Sequence, residues 1–201
     1  MNIELKNVKH FPSLSQETEA FTASLYINGK HAGYAENTGH GGETNYYDKD
    51  AKGKELIKQA EEYTKSFKKP DDPFTNMALE EKINDLLYDH LQKKDIEKFN
   101  KKLAKITDNG IAYGVPNHSY SYFTFNHSME KFLSRNDGIE HIKNLIKNKI
   151  IPKLQPGQMI LNTNIPEKIL KEAGLNKQQY LEPKINQNKV ASNKELHSRG
   201  R

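Results

Sequence analysis

The chain has 201 residues but no cysteine and no tryptophan, and Arg135, Arg199 and Arg201 are its only arginines. Without cysteine the protein has no disulfide, no thiolate metal ligand and no cysteine nucleophile. A nucleophile would therefore have to be a serine, threonine, lysine or carboxylate side chain. The shortage of arginine also limits bidentate contacts with phosphate, for which the planar guanidinium is the preferred group.

Long apolar runs are missing as well. No stretch approaches the roughly 18 apolar residues of a membrane span, and the opening sequence MNIELKNVKHF lacks the apolar core of a signal peptide. We therefore expect a cytoplasmic protein. No two histidines stand at a short ligand spacing, and no carboxylate cluster resembles a nuclease centre. These absences predict no metal and no other cofactor, and they favour a binding protein over an enzyme.

Charge is distributed unevenly along the chain. Residues 1–100 carry 14 basic and 18 acidic side chains, whereas residues 101–201 carry 17 basic and 8 acidic ones. A basic second half is typical of a surface that binds polyanions such as nucleic acid. The alternative is coding bias, because an AT-rich genome also produces abundant lysine, asparagine and isoleucine.

Hydrophobic alternation and turn signals predict an antiparallel sheet near the N-terminus. A strand over residues 19–27 and a return strand over 30–36 flank Asn28-Gly29, a dipeptide that favours the tight turn of a hairpin. Further strands are predicted over residues 2–9 and 45–47. A helix is predicted over 50–67 from its apolar spacing.

Helical periodicity predicts a long helical stretch from Thr75, its expected N-cap, to Ile106. The gap between Leu91 and Ile96 breaks the apolar phase and predicts a kink or a junction of two helices. Asn109-Gly110 is expected to end the stretch in a left-handed conformation. The remaining predicted elements are an aromatic strand over 111–126 interrupted by Gly114 and Pro116, helices over 128–134, 139–150 and 166–174, and a strand over 159–161.

These elements predict an α+β fold. A single domain over residues 1–182 is expected to pack an N-terminal antiparallel sheet of three or four strands on two or three helices, with additional strands and helices towards the C-terminus. Residues 183–201 contain few aliphatic side chains and are expected to form a basic, mobile tail.

A glycine-rich loop lies between the predicted sheet and the first helix. Successive backbone N–H groups in such a loop can form an anion-binding nest, to which a threonine hydroxyl could add a donor. The spacing matches neither the phosphate-binding loop of nucleotide hydrolases nor the dinucleotide fingerprint. The alternative is a wide turn in which glycine only relieves crowding. The candidate ligand-binding residues are Gly39, His40, Gly41, Gly42, Glu43 and Thr44.

The aromatic strand predicts a second candidate site. Alternation places Tyr120 and Tyr122 on one face and Phe123 and Phe125 on the other. Exposed tyrosines on a sheet can stack on nucleic acid bases. The alternative is a strand buried on both sides, with the tyrosine hydroxyls at its rim.

Basic residues near the C-terminus complete this candidate nucleic-acid surface. The sequence around Ala173-Gly174-Leu175 weakly resembles the turn of a helix-turn-helix, in which a second helix would present Lys177 to a groove. However, Pro183 leaves little room for that helix. The basic residues assigned to the surface are Lys177, Lys184, Lys189 and Arg199.

Residues Phe21–Thr44, with the hairpin INGK and the glycine-rich loop, and residues Ile160–Pro166 resemble a group of small bacterial and phage proteins to which no activity is assigned. The resemblance covers about a fifth of the chain and implies only a possible mobile-element context.

Three functions remain open from the sequence. The first is non-enzymatic binding of nucleic acid through the basic second half. The second is a protein-binding inhibitor or accessory factor, such as an anti-defence protein acting on a host complex. The third is a nucleotide-binding or sequestering protein that uses the loop from Gly39 to Gly42.

Overall fold

The computed structural model describes residues 1–69 and 71–184. Lys189, Arg199 and nearly all of the predicted tail lie outside these residues. The chain divides into two compact units, an N-terminal unit Met1–Lys94 and a C-terminal unit Asp95–Arg201. The expectation of one domain over 1–182 stays a prediction, because compactness does not show whether either unit folds alone.

The N-terminal unit is built on a four-stranded antiparallel sheet with the order β1-β2-β3-β4. The tight turn between β2 and β3 forms where it was predicted, with Asn28 at φ 50° and Gly29 at φ 77°. The predicted N-terminal sheet and the α+β class are therefore confirmed. The strands are β1 (Ile3–His10), β2 (Phe21–Ile27), β3 (Lys30–Asn37) and β4 (Asn45–Asp48).

A bulge in β1 explains its imperfect alternation. The pairing with β2 shifts between Lys6 and Lys9, and Asn7 adopts φ 53°. The extra residue shifts the alternation of side chains by one position beyond the bulge. Ile3 before the bulge and Val8 after it therefore pack on the same core.

Two helices cover one face of this sheet. Helix α1 (Ala51–Lys65) begins after Asp50, whose carboxylate accepts a hydrogen bond from the Gly53 amide at 2.8 Å. The first part of helix α2 (Ala78–Asp108) packs on the same core. The buried residues contributed by these helices are Ile57, Ala60, Leu79, Ile83 and Leu87.

The prediction that Thr75 caps α2 was wrong, and so was the alternative that two helices meet after Leu91, whereas a kink within the single helix stays a prediction. Thr75 begins a 3-10 turn, Thr75–Met77, rather than capping the helix, and α2 has no interruption from Ala78 to Asp108. Residues 92–95 include neither glycine nor proline, so nothing breaks the helix there. The shift in apolar phase instead marks a change of core. Leu91 packs in the N-terminal unit, and Phe99 packs in the C-terminal unit.

The end of α2 also differs from the expectation. Neither Asn109 nor Gly110 has positive φ, and Gly110 is the first residue of the next strand. A Cβ at Gly110 would lie 2.3 Å from the carbonyl oxygen of Phe123. Glycine here allows two backbones to approach closely, so it serves strand pairing rather than helix termination.

The C-terminal unit contains a three-stranded antiparallel sheet with the order β6-β5-β7. The single aromatic strand predicted over 111–126 is in fact a hairpin, whose turn includes Asn117 at φ 60°. Gly114 and Pro116 mark the turn between two strands rather than an interruption of one. The strands are β5 (Gly110–Val115), β6 (Ser119–Thr124) and β7 (Met159–Ile160).

Helices lie on both faces of this second sheet. Phe99, Leu103 and Ile106 of α2 pack against one face, together with Ala112 and Leu161. The other face carries the larger cluster, which includes Ile111, Tyr113, Ile142, Ile146, Ile160 and Leu170. The helices of that side are α3 (Met129–Leu133), α4 (Asn136–Leu145), which continues into a π-helical turn Ile146–Ile150, and α5 (Glu167–Glu172).

The weak helix-turn-helix prediction was wrong. Gly174, with φ 98°, ends the segment of α5 as expected. The following segment, however, is only a 3-10 turn, Lys177–Gln179, and Tyr180 then pairs with Ile160. A three-residue turn is too short to enter a DNA groove as a recognition helix.

One buried amide ties the second sheet together. Asn162 has no exposed surface. Its Oδ1 accepts from the Ala112 amide at 2.8 Å, and its Nδ2 donates to the Gly110 carbonyl at 2.9 Å. Nδ2 also donates to Asn164, whose own amide donates to the Thr107 carbonyl. The side chain thereby satisfies backbone groups that would otherwise be buried without partners.

We predict that Asn162→Ala lowers the free energy of unfolding by about 2–4 kcal/mol, because the Ala112 N–H and the Gly110 C=O lose their partner. Urea denaturation followed by circular dichroism measures the change. Asn144→Ala is the matched control, since Asn144 is exposed on α4, and we expect it to change stability by less than about 0.5 kcal/mol. Equal effects of the two substitutions would contradict the structural role of Asn162.

Candidate functional site

The glycine-rich loop is organised around the buried side chain of Asn37. Its Oδ1 accepts from the Thr18 hydroxyl and from the Gly39 amide, both at 2.8 Å. Its Nδ2 donates to the Gly42 carbonyl at 2.9 Å and to the Thr44 hydroxyl at 3.2 Å. Asn37 thus spans the loop and uses all its hydrogen-bonding groups within the protein.

Several donors proposed for an anion nest already have partners. The Gly41 amide donates to the Thr18 hydroxyl at 3.3 Å, and the Thr44 amide donates to the Glu80 carboxylate at 2.8 Å. The Thr44 hydroxyl donates to Asn84 Oδ1 at 2.7 Å. These donors are therefore satisfied by the loop's own surroundings, which is typical of a structural turn.

The surroundings of the loop are acidic. A cleft of about 340 Å³ beside it is lined by Glu19 and Glu80, together with Asn84 and Tyr88. Nearby, burial, the hydrogen bond to Glu61 and the negative charges of Glu61 and Glu80 raise the pKa of Tyr46. Carboxylates in these positions repel phosphate, so the geometry gives no support to nucleotide binding by this loop.

The remaining loop residues predicted to contact a ligand are exposed. His40 Nδ1 lies 3.3 Å from Gln16 Oε1, and Glu43 extends into solvent. Gly39 has a packing role, because its φ is 89° and a Cβ there would lie 2.3 Å from the Leu14 carbonyl oxygen. The Gly39 carbonyl accepts from the amides of Gln16 and Glu17.

The predicted tyrosine pair is present on β6, but its two members differ. Tyr120 is half-buried against Phe99 of α2, with ring centroids 5.2 Å apart. Tyr122 is 53% exposed, and its ring centroid lies 6.2 Å from that of Tyr120. On the opposite face, Phe123 stacks near Tyr113 and lies 5.7 Å below the Lys153 ammonium. Tyr122 is thus the accessible ring.

A stripe of four lysines, not singled out from the sequence, lies on α2, the helix whose Phe99 contacts Tyr120. Their spacing of i, i+3, i+4 and i+7 places them on one helix face, and all are exposed. Phe99 connects the stripe to β6, since it touches Tyr120 and is three residues from Lys102. The stripe is Lys98, Lys101, Lys102 and Lys105.

The structure does not bring Lys177 or Lys184, the predicted basic residues within the described ranges, to the tyrosines. Lys177 precedes Tyr180, which pairs with Ile160 of β7, and the Lys184 amide donates to the Thr163 carbonyl. Because the strand order is β6-β5-β7, these segments lie beside the sheet edge opposite Tyr122. Lys189 and Arg199 are outside the described residues.

Comparisons with protein-family models, with curated proteins and with solved structures find no match to this chain. Within residues 1–69 and 71–184, no group of three or more histidine, aspartate or glutamate side chains is arranged to hold a metal ion. No helix in the same ranges combines the length and apolarity needed to cross a bilayer.

We predict that Gly39→Ala lowers the free energy of unfolding by about 1–3 kcal/mol, because alanine is strained at positive φ and its methyl group meets the Leu14 carbonyl. The control is Gly42→Ala, where a Cβ meets no atom within 4 Å; we expect a change below about 0.5 kcal/mol. Thermal and urea denaturation measure both. If Gly39→Ala leaves the free energy of unfolding unchanged, Gly39 does not have the structural role assigned to it.

Proposed function

We propose that this protein is a non-enzymatic nucleic-acid-binding protein, and that the C-terminal unit binds through a lysine–tyrosine surface. This surface consists of Lys98, Lys101, Lys102, Lys105 and Tyr122. The observation that carries the proposal is the contact of Phe99 with Tyr120, because it packs the helix that carries four exposed lysines on the sheet that carries the exposed ring of Tyr122.

Electrostatics support this surface. Residues 95–184 carry 14 basic and 9 acidic side chains. Within the described chain, Lys98 pairs with Asp95 at 3.1 Å, and Lys101, Lys102 and Lys105 make no ion pair. Unpaired lysine ammonium groups can contact backbone phosphates and release counterions on binding. Because lysine acts as a point charge rather than as a bidentate fork, contacts of this kind carry little sequence information.

The exposed tyrosine adds a contact of a different kind. An aromatic ring can stack on any base that is not already stacked within a duplex, and such contacts tolerate different sequences. Tyr122 lies on an edge strand, so an incoming strand could reach the ring from the side of β6. The surface therefore combines phosphate contacts on α2 with one base contact on β6.

We predict that replacing Lys101, Lys102 and Lys105 with glutamine weakens binding of a 20-nucleotide single strand. The slope of log affinity against log salt concentration should become shallower by about 2, since each lost phosphate contact accounts for about 0.7. Fluorescence anisotropy at several salt concentrations measures this slope.

The matched control for this experiment removes the same charge from the other unit. Lys52, Lys54 and Lys58 are exposed on α1, and their replacement with glutamine should leave the slope within error of the wild type. If both triple variants change the slope equally, binding depends on net charge and not on this surface. If the wild type shows no salt-dependent affinity, the proposal fails.

Tyr122 provides a separate prediction. Tyr122→Ala should weaken single-strand binding by about 5- to 100-fold, because a stacking contact is worth about 1–3 kcal/mol. The salt slope should not change, since no charge is removed. Tyr122→Phe retains the ring and should bind like the wild type. An affinity of Tyr122→Ala equal to that of Tyr122→Phe would exclude stacking at this position.

A further inference from the structure

We infer that the open face of the N-terminal sheet is a second contact surface, which stacks on unpaired bases. The surface is an aromatic row that crosses β2, β3 and β4 and consists of Tyr26, His31, Tyr34 and Tyr47. This inference rests on the proposed function and extends it, because it names unpaired nucleobases as the ligand chemistry of the N-terminal unit.

The rings of the row form a continuous series. Tyr26 and His31 stack with centroids 5.0 Å apart, and His31 meets Tyr34 edge-on at 5.1 Å. Tyr34 and Tyr47 follow at 5.6 Å. The series ends in its most accessible members, since Tyr34 is 40% exposed and Tyr47 is 48% exposed.

Strand register places the row on the face opposite the core. Tyr34 pairs with Ser24 of β2 and with Tyr47 of β4, and Ser24 also pairs with Lys6 of β1. Directly paired residues point to the same side of a sheet. Their chain neighbours, such as Leu25 and Ala35, are buried against the helices. Two exposed tyrosines therefore lie side by side on a sheet face that the helices leave open.

The other residues of this face decide its ligand. Register assigns to it the polar residues Thr22, Ser24 and Asn45 and the charged residues Glu4, Lys6, Lys9 and Glu36, with no aliphatic side chain. A stable interface with a protein needs an apolar core, and this face offers rings but no aliphatic side chain to complete one. Rings surrounded by small polar groups suit flat heterocycles, as in sheets that stack two or three bases.

Charge on the face gives the inferred contact a distinct signature. The charges of the two lysines and two glutamates cancel, and the Lys6 ammonium lies 4.4 Å from the centroid of the Tyr26 ring and 3.8 Å from Glu4. Attraction of phosphate here is weak, so binding must come from stacking. The aromatic row should therefore contribute affinity that depends on bases and hardly on salt, unlike the lysine–tyrosine surface.

The test compares a ten-nucleotide thymidine strand with a strand of equal length whose central six positions are abasic. All proteins carry Tyr122→Ala, so that the aromatic row is the remaining stacking surface under test. The reference protein should bind the base-bearing strand at least about fivefold more tightly than the abasic one. Adding Tyr34→Ala and Tyr47→Ala should bring this ratio close to one without changing the salt slope.

Two controls accompany the alanine pair. Tyr34→Phe with Tyr47→Phe retains both rings and should keep the ratio, which shows that any loss follows from the rings. Tyr88→Ala removes a tyrosine that is 61% exposed on α2 of the same unit but outside the row, and it should also keep the ratio. Urea midpoints of all variants verify that the sheet remains folded.

The outcomes separate this inference from the proposed function. The aromatic row does not bind bases if the variant with Tyr34→Ala and Tyr47→Ala keeps the preference for the base-bearing strand, or if the reference protein binds the two strands equally. Either result leaves the salt-dependent binding through the lysines unaffected. If the preference for the base-bearing strand depends on the aromatic row but the triple glutamine variant has the salt slope of the wild type, base binding by the row is supported and the lysine–tyrosine surface is overturned. If the wild type binds neither strand, both are overturned.

Discussion

Both sheets of this protein bury one of their faces against parts of the same helix, and this shared use of α2 constrains most of the structure. Its apolar stripe up to Leu91 completes the first core, and the stripe that begins at Phe99 completes part of the second. A helix of 31 residues that serves two cores must leave other faces in water along its whole length. Lysines 98, 101, 102 and 105 occupy such a face, so the basic stripe follows from the position of the second core.

Turn residues and apolar spacing predicted much of this fold, but they do not show which residues far apart in the sequence come into contact. Asn28-Gly29 indicated the first hairpin because both positions need positive φ, and Gly174 indicated a helix end for a similar reason. The phase shift before Ile96 suggested a kink because a single sequence does not show that two cores share one helix. The spacing of the lysines was visible in the sequence, but the packing of their helix on the sheet that carries Tyr122 depends on the contact of Phe99 with Tyr120. The aromatic row could not be predicted, since it depends on the registers of two strand pairs, one of them with an irregularity.

The glycine-rich loop shows why composition alone is a weak guide to a binding site. Its amides and hydroxyl looked available in the sequence, yet Asn37, Thr18 and Glu80 accept hydrogen bonds from three of those amides. Glycine at position 39 is required by a backbone contact with Leu14 rather than by a ligand. The candidate sites that remain are surfaces that expose aromatic rings and lysine side chains to solvent.

Strand β6 has a consequence for the colloidal behaviour of the protein. It lies at the edge of its sheet, and residues 119–125, SYSYFTF, contain neither a charge nor a proline. Segments of this composition on an open edge are templates for pairing with another copy. The exposed lysines of α2, whose Phe99 contacts this strand, supply charge repulsion that opposes such pairing, in the manner of gatekeeper residues. Neutralisation of those lysines, by a polyanion or by concentrated salt, should therefore lower the barrier to self-association along this edge.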